Sequence, residues 1–219
     1  MFERSFSFAG IPLLALAQEG GPRPCVLLYH GLHSDKETHR KELSSLAQRG
    51  FLALGVDFVG HGQRRMPDLQ GFLSRGDFMG QLEKLLRPSL HELPLLLDFL
   101  EAEGYGPFGL CGISLGGLLA FAAPAVDNRL RALVPVLADP SWCQPWDRLE
   151  AYRQPAIFAW NGGRDTHVDA APARALLGEL QGPRHRFQEY PESDHFFREE
   201  DWNHAWGETL IWFERFLKS

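Results

Sequence analysis

A serine lies at the centre of the pentapeptide Gly112-Ile-Ser114-Leu-Gly116. The apolar run that begins at Phe108 is typical of a buried strand, and the apolar run that ends at Phe121 is typical of a helix. A serine in a sharp strand-to-helix turn is strained, and flanking glycines leave room for it. The strain holds Oγ out of the sheet, and the helix N-terminus favours negative charge there. The pattern predicts a nucleophile at Ser114, with a simple helix N-cap as the alternative.

A serine nucleophile needs a base, and His195 is the candidate we select among nine histidines. It lies between the last predicted strand and the last predicted helix, and it follows the serine in the chain. His167 is the main rival because it shares a loop with Asp165. We expect His185 near the start of a strand, at the opposite edge of the sheet, and His204 on a helix surface.

Asp165 is the candidate for the acid that orients the imidazole. It follows the predicted strand that ends at Trp160 and precedes the histidine, as the order serine, acid, histidine requires. Its carboxylate would fix the imidazole tautomer and stabilise the imidazolium. The alternatives for this residue are an Asx turn and a salt bridge with Arg164. Asp169 is expected to be a helix N-cap instead.

The elements that position these side chains follow from the alternation of short apolar runs with longer helical patterns. This alternation predicts an α/β fold with a mostly parallel sheet of about eight strands and helices on both faces. Ligands in such sheets bind beyond the carboxyl ends of the strands. The predicted strands are Phe6 to Phe8, Leu13 to Ala17, Cys25 to Tyr29, Phe51 to Phe58, Phe108 to Ile113, Ala132 to Leu137, Ala156 to Trp160 and Phe187 to Tyr190.

Two capping boxes mark predicted helix starts. Ser34 with Glu37 predicts a helix after the third strand, and Ser89 with Glu92 predicts another later in the chain. Because a proline inside a helix costs a hydrogen bond, Pro94 is the alternative start of the second one. The other predicted helices cover residues 115–123, 170–180 and 202–217.

The segment 63–88 mixes glycine, proline and arginine with aromatic residues. It is too short for a full cap domain, so we predict a small helical flap over the site, inserted after the fourth strand. Large side chains there and after a later strand are expected either to line a pocket or to cover the sheet. These residues are Phe72, Phe78, Met79, Trp142 and Trp146, with Arg64 or Arg65 as a polar contact.

Three motifs together resemble the α/β-hydrolase family. They are the turn at Ser114, the dipeptide His30-Gly31 after an earlier strand, and the tripeptide Gly60-His-Gly62 after the next strand. The resemblance extends from about Phe6 to the C-terminus, and the layout is similar to small bacterial esterases of the dienelactone-hydrolase-like branch. Dienelactone hydrolases proper carry a cysteine at the turn, so the serine of this chain argues against their lactone substrate.

The resemblance also implies an oxyanion hole. Its donors would be the amides of Leu115 and Leu32, with Gly31 letting the backbone approach and His30 as a positioning residue. A metal site built from three nearby histidines is the alternative, but no His-x-x-x-His or acidic ligand spacing supports it. These histidines are His30, His33 and His61.

The combined pattern predicts a serine esterase that forms an acyl-enzyme on Ser114, with Asp165 and His195 completing the triad. The expected substrates are small-molecule esters with short or medium acyl groups, and no cofactor or metal is expected. The same triad would also serve a thioesterase, an acyltransferase or a peptidase. A ligand-binding scaffold that keeps a residual triad is the non-catalytic alternative.

Composition sets broader bounds. The 219 residues fit one domain, 1–219, and their hydrophobic fraction of 44% is ordinary for a globular protein. A net charge of −6 argues against nucleic acid and anionic membranes as partners. The apolar run Ile11 to Ala17 is too short to span a bilayer. Three cysteines cannot build a disulfide framework, so we expect a cytoplasmic protein; the oligomeric state is not predicted.

Overall fold

A computed structural model of the chain describes residues 1–21, 23–143 and 149–218, with the backbone alone at Cys143. Within these residues, eight strands form one sheet: β1 (Phe2–Phe8), β2 (Ile11–Ala17), β3 (Cys25–Tyr29), β4 (Leu52–Val56), β5 (Phe108–Ile113), β6 (Leu130–Val136), β7 (Ala156–Gly162) and β8 (His185–Tyr190). Their order is β1-β2-β4-β3-β5-β6-β7-β8. β2 pairs antiparallel with both β1 and β4, and the other neighbours are parallel. The predicted fold class is confirmed.

Helices cover both faces of the sheet because its central strands are apolar on both faces. In β3, Cys25 and Leu27 pack into one buried cluster, whereas Val26 and Leu28 pack into the other. The second cluster is covered by α1 and α7, and the first by α2, α3, α4 and α6. The helices in the described residues are α1 (Arg40–Gln48), α2 (Leu69–Leu73), α3 (Phe78–Ala102), α4 (Leu115–Ala122), α5 (Leu149–Arg153), α6 (Ala171–Leu180) and α7 (Glu199–Leu217).

The start of α1 is later than the capping box at Ser34 predicts. A cap at Ser34 would accept the N–H of Glu37, but that amide donates to Asp35 Oδ1 at 2.9 Å. The residues between β3 and α1 form turns, and α1 begins after His39 without a side-chain cap. The prediction was wrong because Asp35, closer along the chain, satisfies the same donor in a local turn.

The prediction of a helix start at Ser89 or Pro94 was also wrong. α3 begins at Phe78, where the Asp77 carboxylate accepts the amide of Gly80 at 2.8 Å. The helix then runs for 25 residues through both of its prolines. Each proline removes a hydrogen bond, at roughly 3 kcal/mol. This cost is offset because eight leucines of α3 are buried, and each buried leucine contributes about 1.5–3 kcal/mol.

The predicted insertion after the fourth strand is short and helical. It contains a 3₁₀ turn (Gly62–Arg64), α2 and the first turns of α3. Motion of this segment as a flap stays a prediction. In the part of the chain that is described, no helix is both long enough and apolar enough to cross a membrane.

Candidate active site

Ser114 lies in the sharp turn between β5 and α4. Its φ of 54° and ψ of −109° are strained for a residue with a side chain. A hydrogen bond from the Ser114 amide to Val136 O, at 2.8 Å, stabilises the turn. A Cβ on Gly112 would overlap the carbonyl of Gly116, and one on Gly116 would overlap the carbonyl of Tyr29. The glycines of the pentapeptide are therefore required by close backbone contact on both sides of the serine.

His195 joins the serine to an acid. Its Nε2 lies 3.1 Å from Ser114 Oγ, and its Nδ1 lies 2.7 Å from Asp165 Oδ2. A carboxylate accepts hydrogen bonds, so Nδ1 carries the ring proton and donates it to Asp165. Nε2 is then free to accept the O–H of Ser114. The structure thus brings the three residues selected from the sequence into one hydrogen-bonded chain.

The Asp165 side chain is completely buried. Its Oδ1 accepts the amides of His167 at 2.8 Å and Val168 at 3.0 Å, while Oδ2 accepts His195. Burial tends to raise the pKa of this carboxyl, but the hydrogen bonds from His195 and the two amides outweigh it, and the pKa lies below its ordinary value. Asp165 therefore stays ionised beside the imidazole.

The loops that carry the acid and the base are bonded directly to each other. The amide of Arg164 donates to Ser193 O at 2.9 Å, and that of Gly163 donates to Tyr190 O at 2.8 Å. A Cβ on Gly162 would lie 2.5 Å from Ser193 O and 2.7 Å from Asp194 O, so only glycine allows this approach. The spacing between Asp165 and His195 is thus set by backbone contact between the loops.

The candidate oxyanion donors lie on either side of Ser114. Leu115 is the first residue of α4, so its N–H has no acceptor within the helix. Leu32 follows Gly31, which lies next to the serine. A Cβ on Gly31 would meet Ile113 O at 3.5 Å and Ser114 Cβ at 3.6 Å, which is ordinary contact. Contact within the protein therefore does not require glycine at this position, and the role of Gly31 in letting the backbone approach the oxyanion stays a prediction.

His30 is hydrogen-bonded to the loop that carries Leu32. It is fully buried, its Nδ1 donates to Gly31 O at 2.7 Å, and its Nε2 accepts the amide of Phe58 at 3.2 Å. Burial lowers the pKa of His30 from 6.5 to about 4, against the opposing effect of the hydrogen bond to Gly31. Because the ring is fully buried and both of its nitrogens are bonded to backbone groups, His30 is not accessible to a metal ion. This argues against the metal site considered from the sequence.

A buried ion pair next to this loop was missed by sequence reasoning. Asp57 follows β4, and its carboxylate accepts the amides of Lys36 at 2.8 Å and Gln63 at 2.9 Å. Lys36 Nζ lies 3.4 Å from the same carboxylate. A Cβ on Gly62 would overlap that carboxylate, so the glycine is required there. The available signal was an acidic residue at the carboxyl end of a buried strand.

The other histidines and acids considered from the sequence have other hydrogen-bond partners or are exposed. His185 bonds to backbone carbonyls at the start of β8, and His204 Nδ1 pairs with the Tyr190 hydroxyl at 2.9 Å. Asp169 Oδ1 accepts the amide of Ala171 at 2.9 Å, at the start of α6. The side chain of His167 is 63% exposed, and its ring lies beside that of His195.

A cavity of about 660 Å³ opens at Ser114. Of the large side chains for which both alternatives were open, Phe78 and Trp142 line the cavity, whereas Phe72 and Met79 pack against the hydrophobic core. Trp146 lies outside the described residues. The described lining residues are Gly31, Leu32, His33, Ser34, Thr38, His39, Gln70, Leu73, Ser74, Phe78, Leu82, Ile113, Ser114, Leu115, Leu118, Leu137, Trp142, His167, Val168, His195, Phe196 and Trp202.

The two arginines expected as polar contacts are absent from the described part of this lining. Arg64 instead forms a bidentate pair with Glu92 on α3, at 2.7 and 2.8 Å. The same guanidinium donates to Asp57 O. It therefore ties α3 to the end of β4. Glu92, which the sequence suggested as part of a capping box, serves this ion pair.

Comparisons with known proteins agree with this architecture. A family model described as "Alpha/beta hydrolase domain containing 18" matches residues 66–148. The curated protein named "Putative esterase YitV" from Bacillus subtilis (strain 168) is 23% identical over 254 residues, which cover 95% of this chain and 96% of that protein.

Solved structures also match nearly the full length of the chain. TT1662 from Thermus thermophilus has a TM-score of 0.80 and 23% identity, covering 98% of each chain. A cold-adapted esterase from an Arctic intertidal metagenomic library has a TM-score of 0.77 and 22% identity, covering 98% of this chain and 93% of that one. A dienelactone hydrolase from Anabaena variabilis has a TM-score of 0.70 and 22% identity, covering 99% and 97%.

The sheet order, the helices on both faces and these neighbours define the class of the chain: it has the α/β-hydrolase fold. Its similarity to dienelactone-hydrolase-like proteins, which the sequence motifs suggested, is confirmed.

Proposed function

We propose that this protein is a serine carboxylic-ester hydrolase that acts through an acyl-enzyme on Ser114. The observation that carries the proposal is the hydrogen-bonded chain from Ser114 through His195 to Asp165 at the wall of an apolar cavity. The esterase name of the curated relative and the esterase among the structural neighbours support the same reaction class.

The reaction follows from the contacts. Ser114 Oγ attacks the ester carbonyl while His195 Nε2, at 3.1 Å, accepts its proton. Asp165 holds the Nδ1 proton and stabilises the imidazolium that forms. The amides of Leu32 and Leu115 donate to the oxyanion of the tetrahedral intermediate. His195 then returns the proton to the departing alcohol, and water releases the acyl group by the same sequence in reverse.

The test is hydrolysis of p-nitrophenyl butyrate by the wild type and by Ser114→Ala. We expect kcat to fall by on the order of 10⁶ because nucleophile and base act as one unit. Ser44→Ala, on α1 and outside the cavity lining, is the matched control and should keep the wild-type rate. A fluorophosphonate probe should label the wild type and fail to label Ser114→Ala. Equal rates of ester hydrolysis by the wild type and Ser114→Ala would refute the proposal.

Two further points concern the molecule that accepts the acyl group and the type of bond, ester or thioester, that is cleaved. A series of esters and thioesters of graded chain length, assayed in water with and without added alcohols or amines, distinguishes hydrolysis from acyl transfer. We propose water as the acceptor and an oxygen ester as the substrate, with small molecules rather than macromolecules as partners.

We also propose that residues 1–219 form one domain and that the protein acts in the cytoplasm. All strands of the described residues belong to one sheet, which supports a single domain. Cys25 and Cys111 are free and buried, and burial raises the pKa of both thiols. Buried, unpaired thiols fit a reducing compartment.

A further inference from the structure

His167 lies beside the proposed acid and base, yet the proposed hydrolysis does not use its side chain. Its ring centroid is 5.1 Å from that of His195, and its Nδ1 is 3.9 Å from Asp165 Oδ1. The side chain is 63% exposed, so the ring is free to turn without disturbing the core. The structure therefore places a second, exposed imidazole next to the His195–Asp165 pair.

These three residues form a donor set for a metal ion. Asp165, His167 and His195 each offer one ligand atom, and the three atoms lie within 4.8 Å of one another. Two imidazole nitrogens and a carboxylate oxygen are typical Zn²⁺ ligands at sites where water takes the fourth position. Tetrahedral bonds of about 2.0–2.1 Å put ligand atoms roughly 3.3 Å apart. The exposed His167 can supply most of the movement needed to reach that separation.

We infer that Zn²⁺, or another divalent cation that prefers imidazole, binds reversibly between His167, His195 and Asp165 and inhibits the hydrolase. The inhibitory part of this inference rests on the proposed function, whereas the binding part rests on the three ligands alone. Because the donor set includes only one carboxylate, cations that prefer oxygen ligands, such as Mg²⁺, should bind far more weakly.

Inhibition follows from the position of the ring proton. A cation on the Nδ1 side of His195 takes the place of the 2.7 Å hydrogen bond to Asp165 Oδ2. The neutral imidazole keeps its single proton, which moves from Nδ1 to Nε2, so no proton is gained or lost. Nε2 then donates a hydrogen bond and cannot accept the proton of Ser114. The cation thus blocks the first step without contacting the nucleophile.

The first experiment measures inhibition of ester hydrolysis by ZnCl₂. Wild type, His167→Gln and His91→Gln are titrated, and each rate is divided by the rate of the same protein in EDTA. His91 is exposed on α3 and outside the cavity lining, so it is the matched control. We expect the half-inhibiting Zn²⁺ concentration to rise at least tenfold in His167→Gln and to stay unchanged in His91→Gln. Equal inhibition of wild type and His167→Gln would overturn the inference.

The second experiment measures binding without turnover. Calorimetric titration of ZnCl₂ into Ser114→Ala should give one site. In the double variant that also carries His167→Gln, Kd should rise at least tenfold. This measurement needs no active enzyme. Absence of ester hydrolysis in the wild type would refute the proposed function, whereas absence of a His167-dependent site in the calorimeter would refute the metal site.

Discussion

At the scale of single residues, the proposed chemistry depends on two imidazoles in opposite environments. His195 is partly exposed, at 18% of its side chain, and lies between a hydroxyl and a carboxylate. His30 is fully buried between a carbonyl and an amide. The first arrangement allows proton transfer, because the acid stabilises the charged ring. The second excludes it, because burial penalises the charged ring.

The buried state of His30 predicts a loss of stability in mild acid. Its pKa falls from 6.5 to about 4 on folding, so between these values the unfolded chain binds a proton that the folded chain does not. The free energy of unfolding should therefore decrease by about 2 kcal/mol from pH 7 to pH 5 through this group alone.

Urea unfolding of wild type and His30→Gln at both pH values measures this effect. Glutamine has no ionisable group in this range, so the variant should lose about 2 kcal/mol less than the wild type on acidification, whatever its stability at pH 7. The same dependence on pH in both proteins would show that His30 is not the group responsible.

At the scale of elements, three loops at the carboxyl edge of the sheet must meet within hydrogen-bonding distance. The acid loop after β7 and the base loop after β8 are joined by backbone hydrogen bonds at Gly163 and Arg164. The base loop is further held because Ser193 Oγ donates to Asp201 on α7 at 2.7 Å. This network positions the base relative to the acid before any substrate binds.

Two glycine-to-alanine changes test this coupling. Gly162→Ala places a Cβ 2.5 Å from Ser193 O, so we expect the loops to separate and kcat to fall by at least tenfold. Gly178→Ala is the matched control: it lies in α6, nothing is within 4 Å of the added Cβ, and alanine should add about 0.5–1 kcal/mol of stability. Measured kcat and thermal midpoints decide the outcome. A normal kcat in Gly162→Ala would mean that this contact does not set the geometry.

At the scale of the whole molecule, the cavity has a distinct chemical character. The protein has a net charge of −6, yet no Asp, Glu, Lys or Arg is found among the described residues around the cavity. Its described walls are mainly apolar, with histidines, serines, a threonine and a glutamine as the polar side chains. A charged acyl chain would lose its hydration there without gaining an opposite charge.

The cavity therefore predicts a strong preference for uncharged acyl groups. At pH 8, kcat/KM for p-nitrophenyl hexanoate should exceed that for mono-p-nitrophenyl adipate, which has the same chain length but a terminal carboxylate, by at least about 100-fold. The two esters share one leaving group, so the ratio reports the acyl side of the cavity. Ratios within threefold of unity would contradict this description of the cavity.

Much of the fold and of the candidate site is encoded in short stretches of sequence. Buried parallel strands appear as continuous apolar runs, such as Cys25–Tyr29 and Phe108–Ile113. Ser114, Asp165 and His195 each follow a recognisable strand, so their common edge of the sheet was predictable. Their catalytic roles stay predictions until the variants are measured.

Only the tertiary structure could decide the contacts between residues that are far apart in the chain. The sequence by itself could not show that α3 continues through Pro88 and Pro94, since this depends on how many leucines the sheet buries. Nor could it show that Asp57 binds the amide of Lys36, or that His167 turns toward His195. Capping and turn signals act over a few residues, whereas burial and loop-to-loop hydrogen bonds depend on the completed sheet.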